Sequence, residues 1–154
     1  MSIHTLAILG FGTVGSGVYR IATENHDDIL HREQIDLRVG RILVRDFVHE
    51  PNLHLAPREL FTTSIEEILQ DPTIEIVVEC MGGKGAAYRF VKAALERGKH
   101  VVTSNKELIA DCGEELERIA RELRQGNIDD DCLIVAGDNL LMIDYADFFR
   151  AYAA

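Results

Sequence analysis

The sequence predicts an α/β fold, a single domain built on a doubly wound parallel sheet, and three observations carry that expectation. Short apolar runs alternate with stretches of helical periodicity, as strands and crossover helices do in parallel sheets. The runs end in glycine or small polar residues, where such sheets place their ligands. The first run ends in a cluster of four glycines.

Ile3, Leu6, Ala7, Ile8 and Leu9 form that first run, the pattern of a strand buried on both faces. It breaks at Gly10, Gly12, Gly15 and Gly17, after which Val14, Val18, Ile21 and Ala22 follow at helical spacing. A G-x-G-x-x-G between a strand and a helix is the context that makes a glycine turn a dinucleotide-binding signature. Gly10 would make the tight turn, Gly12 would let backbone approach a pyrophosphate, and Gly15 would let helix pack closely on strand. The anion would rest on the free N–H groups and positive dipole end of a helix opening near Thr13.

That helix is expected over residues 13–25, and Glu24 to Asp28 form either a polar break or a ragged continuation toward Leu30. Leu37, Val39, Ile42, Leu43 and Val44 read as a second strand, interrupted at Gly40 and Arg41 and closed by Arg45 and Asp46. An acidic residue there accepts ribose hydroxyls of NAD and an arginine holds the 2′-phosphate of NADP, so the pair pulls both ways. Asp46 lies beyond the usual spacing of about 20 residues from the glycines, and a solvated turn charge is its plainer role. Residues 47–63 show no sustained periodicity and read as loop, with His49 and His54 as exposed side chains rather than metal ligands. No metal site is expected.

Ser64 followed by Glu67 is a capping box opening a short helix through Gln70, ended by Asp71-Pro72. A strand over residues 74–79 stops at Cys80-Met81-Gly82-Gly83, either a backbone approach to ligand or a plain strand-to-helix turn. Ala87, Phe90, Val91, Ala94 and Leu95 share one helical face, with Gly98 as the stop. His100, Val101 and Val102 form the next strand, and Thr103-Ser104-Asn105-Lys106 leaves its end. Ser104 or Asn105 would cap the following helix, which Gly126 ends. Lys106, at the ligand edge, could stabilise a developing alkoxide or pass a proton.

Composition sets the outer bounds. A 154-residue chain with 47% hydrophobic residues can bury one core. A formal net charge of −10 opposes nucleic acid or anionic membrane as partner, without excluding a phosphate-bearing cofactor held locally. Cys80, Cys112 and Cys132 are widely spaced, as expected of reduced thiols in a cytoplasmic protein. No run approaches membrane-spanning length.

At Ile-Leu-Gly-Phe-Gly-Thr-Val-Gly-Ser-Gly-Val, Ile-Leu-Val-Arg-Asp, Val-Val-Glu-Cys-Met-Gly-Gly and Gly-Lys-His-Val-Val-Thr-Ser-Asn-Lys-Glu-Leu, the chain resembles the NAD(P)-binding domain of homoserine dehydrogenase. These blocks occur in family order over residues 3 to about 125. The resemblance implies a Rossmann-type domain and the cofactor NADP or NAD. It implies a reaction, too: reversible interconversion of L-homoserine and L-aspartate 4-semialdehyde, a step towards threonine, methionine and isoleucine. Carried over by motif, Gly10, Gly12, Thr13, Val14 and Gly15 would hold the pyrophosphate, Arg45 the adenosine ribose or its phosphate, and Met81 and Gly82, beside Cys80, the cofactor's middle. Thr103, Ser104 and Asn105 would lie near the nicotinamide, and Lys106 matches the family's lysine implicated in proton transfer. Ser104 stands where alanine is common.

The family continues into a substrate and dimerisation domain, and its opening segment is absent here. Residues 127–154 instead resemble, over about two dozen residues, a strand, Gly-Asp-Asn turn and helix of sugar-phosphate nucleotidyltransferases. Read physically, residues 133–136 would add a strand and Tyr145, Phe148, Phe149 and Tyr152 a covering helix, with Gly137, Asp138 and Asn139 structural rather than metal-binding. The expected function is therefore the cofactor half of a homoserine-dehydrogenase-like oxidoreductase, catalytically incomplete alone. The small amino-acid substrate would bind only when a substrate domain is supplied, and an oligomer is possible. The alternative is a non-catalytic nucleotide-binding or redox-sensing module.

Overall fold

A computed structural model of the chain describes residues 1–124. Strand β1 (Ser2–Leu9) leads into helices α1 (Thr13–Glu24) and α2 (His26–Glu33), then β2 (Ile35–Leu43). A loop with two 3-10 turns, Leu53–Leu55 and Arg58–Leu60, reaches β3 (Phe61–Thr62) and α3 (Ile65–Leu69). Next come β4 (Ile74–Glu79), α4 (Gly85–Glu96), β5 (His100–Thr103) and α5 (Lys106–Arg124). The five strands are all parallel, in the order β3-β2-β1-β4-β5. The chain winds outward from β1 to one edge, returns to the other flank of β1, and winds out again. This is the doubly wound, Rossmann-type sheet.

Four local features differ from the expectation. Strand β2 is not interrupted at Gly40: the register with β1 steps from Leu6↔Val39 to Ala7↔Arg41, so Gly40 is absorbed as a bulge. A Cβ there would lie 2.7 Å from Thr5 Cγ2, which is why the extra residue has no side chain. After α1, where a break or a ragged continuation is expected, the chain forms a separate helix, α2, closed by Gln34 in the left-handed region at φ 59. The loop at 47–63 contains β3, too short for a period of two to register in sequence. Ser64 opens α3 without a side-chain capping bond; its N–H donates instead to Thr62 Oγ1 at 3.0 Å. Gly126 and the tail at 127–154, with its expected strand and helix and Cys132, lie outside the described residues.

Apolar packing supports the site from below. Ala7, Leu9 and Val77 of the central strands pack with Val91 and Leu95 of α4 and Leu108 and Leu116 of α5 in one core. A smaller core joins Phe11, Ile42, Val44 and Phe61. The Phe11 ring meets Phe61 at 5.1 Å and Tyr19 at 5.9 Å, both edge-on. The residue between two glycines of the turn is thus an anchor, and the turn is held rigidly although glycine-rich. Among the described residues, no helix is long and apolar enough to cross a membrane.

Candidate functional site

The strand ends lie level. Leu9 pairs with Leu43 and Glu79, Leu43 with Thr62, and Glu79 with Thr103. Hydrogen bonds extend that row one residue further: Gly10 N–H donates to Leu43 O at 2.9 Å, Val44 N–H to Thr62 O at 2.9 Å, and Cys80 N–H to Leu9 O at 2.8 Å. Every motif singled out in the sequence therefore starts from one edge. The glycine turn, Arg45-Asp46, Cys80-Met81-Gly82 and Thr103 to Lys106 are brought together there by register.

The three glycines of the motif separate by what surrounds them. Gly10 has φ +90, and a Cβ on it would come 3.1 Å from both Cys80 O and Met81 Cγ. It is the point where the loop after β1 touches the loop after β4, at the place where the winding reverses. A Cβ on Gly15 would lie 1.9 Å from Gly10 O, so the first turn of α1 rests directly on the glycine turn. Around Gly12 a Cβ would meet nothing within 4 Å among the described residues. None of them requires glycine at Gly12; an approaching anion would.

Gly12 is the N-cap of α1, with no side-chain capping bond. The first N–H groups of an α-helix have no carbonyl four residues back to bond. Those of Thr13 and Val14 lie beside Gly12 at the exposed start of the helix, and both residues are themselves exposed. A pyrophosphate fits this cradle by both space and dipole.

Arg45 and Asp46 are not equivalent. Asp46 accepts from His49 N–H at 2.7 Å and contacts His49 Nδ1 at 2.9 Å. The backbone donor and the histidine hold its carboxyl below the ordinary carboxylate range. Arg45 is exposed, and no hydrogen bond or ion pair ties it to another described residue. The acidic side chain is thus committed to its own turn while the basic one stands out from the edge.

On the other flank, Glu79 is fully buried, with no exposed surface. Its oxygens accept from Met81 N–H at 2.6 Å and from the Thr103 hydroxyl at 2.5 Å. Burial pushes its carboxyl up, against the pull of these donors and of Asn105. The Cys80 thiol is pushed up to about 12 by its burial and by the Glu79 charge, so it is a neutral group that contributes backbone rather than a nucleophile. Asn105 caps α5, as its Oδ1 accepts from Leu108 N–H at 3.1 Å, and Lys106 is the exposed first residue of that helix. Ser104 is exposed and Thr103 is buried to 1%.

Sequence reasoning missed three residues of this edge. Glu79 is a charged residue at the end of an apolar strand, a signal that was present but read only as a strand terminus. His49 and Asn52 carry no sequence signal. The first engages Asp46, and the second donates from Nδ2 to Phe11 O at 2.8 Å, tying the long loop to the glycine turn.

Similarity to known proteins agrees with this geometry. Residues 10–126 match the family described as homoserine dehydrogenase, NAD binding domain. The chain is 36% identical over 122 residues to homoserine dehydrogenase of Bacillus subtilis strain 168, covering 79% of this chain and 28% of that protein. The crystal structure of a homoserine dehydrogenase from Thiobacillus denitrificans superposes with a TM-score of 0.72 at 37% identity, covering 78% of this chain and 27% of that one. A hyperthermophilic archaeal homoserine dehydrogenase in complex with NADPH superposes with a TM-score of 0.62 at 27% identity, over 78% of this chain and 41% of that one. The chain spans less than a third of the Bacillus and Thiobacillus proteins. It belongs to the homoserine dehydrogenase NAD-binding domain family, and its cofactor is NAD or NADP.

Proposed function

We propose that the chain holds its dinucleotide along the level edge of the sheet, as the cofactor half of an enzyme interconverting L-homoserine and L-aspartate 4-semialdehyde. The observation that carries this is Gly12, whose missing side chain leaves open space beside the helix N-terminus while Gly10 and Gly15 are fixed by contacts within the chain. Gly10 to Gly15 hold the pyrophosphate, Met81 and Gly82 the cofactor's middle, and Thr103 to Asn105 the nicotinamide end. Arg45 takes the adenosine ribose phosphate. With Asp46 engaged by His49, the arginine outweighs it and NADP is preferred. The archaeal relative's complex with NADPH supports a site that admits the phosphorylated cofactor.

Bound there, the cofactor supplies hydride transfer. Lys106, at the exposed start of α5, holds or passes the proton that accompanies it. The amino-acid substrate comes with a substrate domain, and without one the proximity worth about 7–11 kcal/mol is lost, so the isolated chain turns over poorly. We place the protein in the cytoplasm and expect any oligomer to form through the substrate domain.

The test joins this chain to a homoserine dehydrogenase substrate domain and follows homoserine-dependent NADP+ reduction. Lys106→Ala should lower kcat by about a hundredfold, the scale of general acid–base catalysis, and leave NADP+ affinity within about twofold. Undiminished turnover in that variant removes Lys106 from the proton path. A joined protein with cofactor affinity but no turnover would favour the non-catalytic nucleotide-binding module.

A further inference from the structure

Glu79 is the one fully buried carboxylate among the described residues, and it sits where the winding of the sheet reverses. Removing an isolated carboxylate from water is strongly unfavourable unless its oxygens accept hydrogen bonds. Each oxygen has a donor here. Oε1 accepts from Met81 N–H at 2.6 Å and Oε2 from the Thr103 hydroxyl at 2.5 Å.

The bonding continues beyond the carboxylate. Thr103 Oγ1 accepts from Asn105 N–H at 3.0 Å, and Asn105 Nδ2 donates back across the edge to Gly83 O at 2.6 Å. A closed ring thus runs from β4 through the turn before α4, over to the start of α5, and back through Thr103. It joins the two loops that flank the nicotinamide end. The groups facing the carboxylate are the Thr103 hydroxyl from β5, the Met81 N–H, the Asn105 side chain and, as the titrating neighbour, the Cys80 thiol.

We propose that Glu79 is a positioning residue: through this ring it fixes the β4–α4 turn and the start of α5 against each other, so that the nicotinamide half of the cofactor meets a preformed edge. This rests on the cofactor reading above. A stable strand end does not require such a group, since a buried ionic group is commonly no more stabilising than an apolar one of similar volume. What it supplies is geometry. Two acceptor oxygens and no donor are needed, and glutamine cannot provide them. Its amide nitrogen would face either the Met81 N–H or a Thr103 hydroxyl, and a hydroxyl turned round to accept from it would leave its own proton unpaired.

The test compares NADP+ with 2′,5′-ADP, the adenosine half alone, by calorimetric titration of the full 154-residue chain. Glu79→Gln should weaken NADP+ by about tenfold, the scale of a lost charged hydrogen bond, and leave 2′,5′-ADP within about twofold. If circular dichroism shows that variant unfolded, Glu79→Asp, which keeps the carboxylate but withdraws it from Met81 N–H and the Thr103 hydroxyl, is measured in its place with the same expectation. A folded variant that binds NADP+ as tightly as the unaltered chain, or that loses both ligands equally, overturns the positioning role. Failure of the unaltered chain to bind either ligand overturns the cofactor reading itself, and this inference with it.

Discussion

Gly15→Ala should destabilise the chain by about 3 kcal/mol or more, the upper range for overpacking a site that cannot relax. The added Cβ would lie 1.9 Å from Gly10 O, a backbone atom, so no side-chain rotation relieves it. Either α1 tilts away from β1 or the Gly10 peptide turns. Turning that peptide, which joins Gly10 to Phe11, pulls on the Phe11 ring packed against Phe61 and Tyr19 and crowds a Gly10 already close to Cys80 and Met81. Domains of this size are stable by only about 5–15 kcal/mol, so much of the total is at stake. Urea unfolding with and without the substitution measures it. A loss below about 1 kcal/mol would mean that the helix docks less tightly than the geometry indicates.

Gly12→Ala should do the opposite. No atom of the described residues lies within 4 Å of its Cβ, and the backbone there is extended at φ −74, so the fold is barely affected. Alanine is a poorer N-cap than glycine, and the stability loss should stay under about 1 kcal/mol. Cofactor binding, by contrast, should weaken by about a hundredfold. The methyl group occupies the approach to the N–H groups of α1, and each charged hydrogen bond lost is worth about 1.5–3 kcal/mol. Unfolding and titration on the same preparation separate the two effects. Full retention of binding would show that the pyrophosphate does not lie against Gly12.

The two substitutions also mark how far the sequence could be read. It predicts distinct tasks for the three glycines, and the structure gives Gly10 a tight turn, Gly15 a helix contact and Gly12 open space among the described residues. The strands that bear the site were legible because each is an apolar run closed by glycine or small polar residues. The bulge at Gly40 reads in sequence as an interruption, since a bulge and a break remove the same residue from the apolar pattern. The two-residue β3 was invisible because it is shorter than the period that would announce it. The rivalry of Arg45 and Asp46 could not be weighed from sequence, because His49 occupies Asp46 through a turn with no pattern of its own. Glu79 was named in its motif without a task, for its partners Thr103 and Asn105 are distant along the chain and adjacent only through the pairing of β4 with β5.

All of this depends on a dinucleotide site that the chain forms by itself. The most direct measurement is a calorimetric titration of the unaltered 154-residue chain with NADP+ and then with NAD+, at one fixed salt concentration. Saturable binding of both, tighter for NADP+, is the expected result: the edge is preformed and Arg45 prevails over an Asp46 held by His49. Absence of saturable binding with either would contradict it, and would leave the open space at Gly12 as a feature of the fold rather than the seat of a cofactor.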